Sequence, residues 1–160
     1  MILGSLNTKY WLIIVLVAAV GGFGYLVWNE YINPDPTSEF LKFEEKYIEA
    51  MKADNVGGKT PQETLDLFTA ALAAGDVEMA AKYFMLDDYG SRDKWVKALQ
   101  EIKDKGFLDE MANDLEKAKP TKGTDENDFA FVLNNDDGTA ATVIDMQFNT
   151  LSGVWKIENL

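Results

Sequence analysis

Apolar and polar positions follow three successive rhythms along this chain: an unbroken apolar run near the start, helical spacing through the middle, and alternation at the end. The first run, Tyr10 to Trp28, contains no charged residue and no proline. At about 1.5 Å per residue a helix of that length rises about 28 Å, close to the roughly 30 Å hydrocarbon core of a bilayer. Tyr10 and Trp11 stand at one end and Tyr25, Trp28 and Tyr31 at the other, where amphipathic rings settle at headgroup level. A cleaved signal peptide has a shorter apolar region, about 7–15 residues, ending directly at its cut site. Ala19-Val20-Gly21 imitates such a site, but Phe23 and Tyr25 to Trp28 carry the apolar run past it. The pattern predicts a retained transmembrane helix over 10–28, in preference to a cleaved signal or a buried soluble helix.

The stretch NPDPTSE, residues 33–39, ends that helix, because two prolines remove backbone donors and push their predecessors towards extended conformations. Thr37 or Ser38 is placed to cap a new helix with Phe40, Tyr47, Ile48 and Met51 along one side. Gly57-Gly58 within DNVGGK reads as a flexible link. Thr60-Pro61-Gln62-Glu63 then has the form of a capping box, with proline at the first helical position. Leu65, Phe68, Ala71 and Leu72 continue as an apolar stripe that Gly75 ends. A second helix starts at Asp76 with Val77, Ala80, Ala81 and Phe84 inward. Two more stripes follow: Trp95, Leu99 and Ile102 after a Ser91 cap, then Leu108, Met111, Ala112 and Leu115 after Gly106. Pro120 closes this helical half.

Beyond a polar loop the period becomes two. Phe129, Phe131 and Leu133 alternate with Asp128, Ala130 and Val132, and Asn135-Asp136-Asp137-Gly138 supplies a turn. Ile144, Met146 and Phe148 share a face in the second strand, and after Ser152-Gly153 so do Trp155 and Ile157 in the third. Three strands with one apolar face need a helical layer to cover it. The expected fold is α+β: residues 1–9 as a short N-terminus, a transmembrane helix over 10–28, a juxtamembrane helix and linker over 29–59, and over 60–160 a helical layer packed on a small curved antiparallel sheet.

Charge narrows the functional range. The formal net charge is −12, and residues 1–32 contain only Lys9 and Glu30, so the acidity belongs to the outer part. The positive-inside rule, acting through Lys9 and the amino terminus, puts the N-terminus in the cytoplasm and the rest outside, as a single-pass protein of the cell membrane. Nucleic-acid binding needs clustered cations, whereas the single arginine, Arg92, stands among scattered lysines. With no cysteine and no histidine, thiolate chemistry and the commonest general base and metal ligand are missing. Within the anchor, Ala18, Gly21 and Gly22 would permit close approach of a second helix, although glycine is common in such helices.

Residues 60–84, TPQETLDLFTAALAAGDVEMAAKYF, resemble the opening helix pair of nuclear transport factor 2-like domains. Residues 137–160, with their Gly-Val-Trp-Lys-Ile ending, look like the closing hairpin of the same family, as found in membrane-anchored bacterial proteins. The resemblance implies a cystatin-like α+β cone in which a curved sheet wraps around helices and sometimes leaves a pocket. Residues 87–119 depart from it, reading as two helices where a strand and one helix belong. The family contains ketosteroid isomerase-like enzymes as well as binding modules, so the fold does not choose a function.

An isomerase-like site needs a carboxylate base and a donor inside the cone. On the inward strand face Thr142 is the one polar residue, and Asp145 falls on the other side. Tyr83 and Tyr89 approach from the helices, where a packed ring with a wet hydroxyl is the ordinary expectation. NNDDG fails the calcium-loop spacing, since Leu133 and Ile144 would occupy its first and last positions, so it reads as a hairpin turn. The expectation is an extracytoplasmic binding module for a protein partner of the envelope or a small apolar ligand, without catalysis, cofactor or metal. Its pocket would be lined by Phe68, Tyr83, Trp95, Phe131 and Met146, with the lipid bilayer held through residues 10–28. An isomerase-like enzyme and a structural or assembly protein are the alternatives.

Overall fold

The computed structural model describes Tyr25 and residues 36–122, 125–135 and 137–160. Apart from Tyr25, the expected anchor over 10–28, including Ala18, Gly21 and Gly22, lies outside the described residues. No helix among the described residues is long and apolar enough to cross a membrane. The chain divides into two compact units, Met1–Glu45 and Lys46–Leu160. In the first, the described residues are Tyr25 and the opening of helix α1 (Pro36–Ala53), where Phe40 and Leu41 are exposed.

The second unit is α+β. Beyond the end of α1 it contains α2 (Pro61–Ala73), α3 (Val77–Ala81), α4 (Asp93–Asp104) and α5 (Leu108–Leu115), followed by strands β1 (Lys119–Lys122), β2 (Asp128–Asn134), β3 (Ala140–Asn149) and β4 (Val154–Asn159). Thr60 caps α2, its hydroxyl accepting from the Glu63 N–H at 3.2 Å. The Glu63 carboxylate turns back as a capping box requires, but takes the Lys59 N–H at 2.6 Å, one residue before the cap. Gly75, at φ +69°, lets the Asp76 N–H reach the Ala71 carbonyl at 3.0 Å and close the helix. Asp76 then caps α3 through the Met79 N–H at 2.9 Å. Ser91 stands one residue ahead of the α4 cap position, which Arg92 occupies, and its hydroxyl takes the Asp93 N–H at 3.0 Å.

The four strands run β1-β2-β3-β4, each antiparallel to its neighbour. One more strand is present than the alternation predicted. β1, Lys-Pro-Thr-Lys, has no apolar rhythm to betray it, and Pro120, expected as a terminator, lies within it opposite Phe131. A strand paired on one side only tolerates a residue without an N–H. Proline and lysine also discourage further pairing along that edge.

The other edge is covered by the chain itself. The Met85 N–H donates to the Ile157 carbonyl at 2.8 Å and the Ile157 N–H to the Tyr83 carbonyl at 2.9 Å, a one-bridge parallel pairing beside β4. Nearer the hairpin, the Trp155 N–H donates to the Gly58 carbonyl at 2.9 Å. Thr64, fully buried on α2, takes the Gly58 N–H at 2.8 Å and donates to the Trp155 carbonyl at 3.1 Å. Gly57-Gly58 is thus a packed segment and not the loose link expected from glycine content. Its glycines are needed for close approach: a Cβ on Gly57 would lie 2.4 Å from the Trp155 carbonyl oxygen, and one on Gly58 2.7 Å from the Thr64 nitrogen.

Both obstructing atoms are backbone, so Gly57→Ala and Gly58→Ala should each lower the unfolding free energy by about 1–3 kcal/mol, the usual cost of overpacking. Urea unfolding of the full chain measures this, and an unchanged midpoint would show that the segment is not seated against β4.

Candidate ligand-binding cleft

Helices α2 to α5 cover the apolar face of the sheet, but not all of it. Near the ends of β2 and β3, Leu133 and Thr142 face each other in register, just before the pairing shifts at Asn134. Residues of α5, a helix of only eight residues, lie across an open cleft from them. Its volume is about 500 Å³. The α4–α5 side contributes Ile102, Phe107, Met111 and Leu115, and the sheet side Leu133, Thr142 and Leu160. A volume of this order suits a small organic ligand, and an apolar lining with a few polar groups is the usual composition of such sites. Two acidic residues of α5, Glu110 and Asp114, complete the lining.

The local sequence explains why these side chains converge. Gly106, at φ +79°, ends α4 by letting the Phe107 N–H reach the Ile102 carbonyl at 3.1 Å. This reversal brings the backbones of Ile102 and Phe107, both of which line the cleft, within hydrogen-bond distance. In α5, Leu108 and Ala112 turn into the core, Leu115 belongs to both core and cleft, and Glu110, Met111 and Asp114 line the cleft.

The residues expected to line a pocket lie deeper. Phe68, Tyr83, Phe131 and Met146 are buried in the hydrophobic core, and Trp95 is half-buried against it. Phe68 meets Tyr83 edge-on at 6.5 Å and Phe84 at 5.3 Å, and Trp95 stacks on Phe84 at 3.9 Å. Burial, and then the nearby Asp76 charge, raises the Tyr83 phenol above its ordinary value, so it stays protonated at neutral pH. Of the inward strand face, Leu133 and Thr142 are the residues that reach the cleft. The carboxylates come from the helix side.

A second feature had no sequence signal. Lys156 alternates between Trp155 and Ile157 on β4, which would place it on the solvated face, yet it is fully buried. The end of α1 and the segment after it cover that face. The Lys156 ammonium donates to Asp54 Oδ1 at 2.6 Å, the Val56 carbonyl at 2.6 Å and the Lys82 carbonyl at 2.9 Å, so all three of its protons have acceptors. Arg92 pairs with the second oxygen of Asp54 and donates through Nε to the Phe84 carbonyl at 2.6 Å. Burial pushes the Lys156 ammonium down to about 8; the Asp54 hydrogen bond and charge oppose the shift, and the Arg92 charge adds to it. With all its protons engaged and no exposed surface, this lysine is a fastening group.

The acidic turn behaves as a hairpin. Gly138 takes φ +82°, and the Asp137 carboxylate accepts from the Thr139 hydroxyl at 2.6 Å and the Thr139 N–H at 2.9 Å. Those bonds hold Asp137 below the usual carboxylate range. Among the described residues no group of three acidic side chains is placed to hold a metal ion.

The chain matches no family model, no curated protein and no solved structure.

Removing Asp54 would leave Lys156 and Arg92 without their shared counter-charge, so Asp54→Ala should destabilise the protein by about 3–5 kcal/mol. Adding Lys156→Met should recover part of that loss, as denaturant midpoints will report. The pH dependence has a definite sign. Lys156 titrates near 8 when folded against 10.5 as its ordinary value, so across that interval the unfolded chain binds more protons than the native one. This group's contribution to stability is therefore lowest below about pH 8 and rises towards 10.5. Subtracting the Lys156→Met profile from that of the wild type isolates the rise.

Proposed function

We propose that the protein is a single-pass, membrane-anchored binding module of the cell envelope, with its N-terminus in the cytoplasm and everything after residue 32 outside. Residues 60–160 form a nuclear transport factor 2-like cone whose open cleft takes a small apolar ligand, and it carries out no chemistry of its own. The observation that carries this reading is the 500 Å³ cleft, whose apolar lining is interrupted only by Thr142 and two carboxylates. The order of elements supports the family: a capped helix pair, a short segment parallel to the last strand, further helices and an antiparallel meander. The uncharged run over 10–28 supports the anchor.

A second reading, recognition of a protein partner or self-assembly, is favoured by α1, whose Phe40, Leu41 and Ile48 are exposed. Ala18, Gly21 and Gly22 of the anchor would serve the same role by admitting a second helix.

The cleft reading is tested with 4-(4-fluorophenyl)butan-1-ol, a water-soluble apolar probe, added to the full chain in phosphatidylcholine nanodiscs, with empty discs as the reference. Fluorine line broadening should report a dissociation constant on the order of 1 mM, as expected for so few atoms. Leu133→Trp should abolish it by filling the cleft. Equal broadening in the variant would place the probe elsewhere. Concentration-dependent cross-linking of the full chain, lost on Gly22→Leu, would favour assembly.

A further inference from the structure

The charged groups that line the cleft are all of one sign. Glu110 and Asp114 stand four residues apart on α5, so both carboxylates lie on one helical face, and no cationic side chain lines the cleft among the described residues. Glu110 makes no ion pair among the described residues. Asp114 has one oxygen paired with Lys117 at 2.7 Å, a contact between two exposed side chains.

The helix dipole does not account for the arrangement. An acidic group in the first turn, such as Glu110, complements the positive end of α5, but Asp114 occupies the last turn, where a negative charge is disfavoured. A pair of carboxylates beside an apolar floor is complementary to an amphiphilic cation. It repels an amphiphilic anion such as a fatty acid. The net charge of −12 gives the surrounding field the same sign.

We propose that the cleft is selective for an ammonium group carried on an apolar body, with Glu110 and Asp114 holding the cation at the rim while Phe107, Met111 and Leu133 take the apolar part. Thr142 offers a hydroxyl to an N–H donor of the same ligand. This inference rests on the cleft reading above and adds the charge of what the cleft accepts.

Three probes with the same 4-(4-fluorophenyl)butyl body, ending in ammonium, hydroxyl or carboxylate, separate the two proposals. They are titrated into the full chain in phosphatidylcholine nanodiscs, with empty discs subtracted. The ammonium should bind about tenfold more tightly than the carboxylate, with the alcohol between them. Raising ionic strength from about 10 mM to about 0.5 M should shrink that ratio. Glu110→Gln with Asp114→Asn should bring the ammonium to the level of the alcohol, and a cooperative urea-unfolding transition of the double variant separates this from a loss of folding. If all three probes bind equally, selectivity for a cation falls and the cleft reading stands. If none binds, both fall. If the ammonium preference survives in the double variant, the assignment to Glu110 and Asp114 is overturned.

Discussion

Lys156 and its three acceptors hold together parts of the chain that are far apart in sequence. The ammonium is reached by Asp54 and Val56, just past the end of α1, and by the Lys82 carbonyl at the end of α3. Arg92, ahead of α4, joins through the other oxygen of Asp54. A buried ion pair of this kind adds little net stability over apolar packing, because desolvation offsets much of the attraction. What it supplies is placement: a fully buried ammonium without its acceptors is so unfavourable that the surrounding segments are held in one arrangement. Asn149 extends this fastening, donating to the Met51 carbonyl at 2.9 Å while its own oxygen takes N–H groups of the β3–β4 turn.

That arrangement determines where the sheet is closed and where it stays open. The segment that supplies Asp54 and Val56 continues through Gly57 and Gly58 along β4, and Tyr83 to Met85 pair with the same strand further on. One edge of the sheet is therefore covered, and the other ends in a short proline- and lysine-bearing strand. Aromatic packing around Phe68 and Phe84 fills the middle of the helical layer. Apolar surface is left accessible between residues of α4 and α5 on one side and Leu133, Thr142 and Leu160 on the other, and the cleft lies there. The fastening group and the cleft are separate: the first secures the fold, and the second gives the proposed module its binding surface.

Elements governed by local chemistry were legible in the residues. The Thr60 and Asp76 caps, the left-handed glycines at 75, 106, 138 and 153, and the alternation in β2 and β3 each depend on neighbours a few positions away. The proline-bearing β1 was not legible, because its stability comes from pairing with β2 and not from its own side chains. The glycine pair at 57–58 departs from expectation for a related reason: composition reports the freedom glycine has in the unfolded chain, whereas contacts with the nearby Thr64 and with Trp155, far along the chain on β4, remove it. Thr142 and Leu133 were correctly placed on the inward face. Their place in an open cleft depended on which residues of α4 and α5 lie opposite them, which periodicity does not report.

By itself, then, the sequence determined the α+β class, the Thr60 and Asp76 caps, the two hairpins and the strongly acidic balance, since capping, turn preference and net charge are properties of residues and their near neighbours. The expected caps at Thr37 or Ser38 and at Ser91 missed, because those helices start at Pro36 and Asp93. Only the tertiary structure decided that Lys156 is buried, that Asp54 holds both Lys156 and Arg92, and that open space lies at Leu133 and Thr142 instead of among Phe68, Tyr83, Phe131 and Met146. Burial and empty space depend on which distant segments arrive to fill a given volume, and no local pattern of residues carries that information.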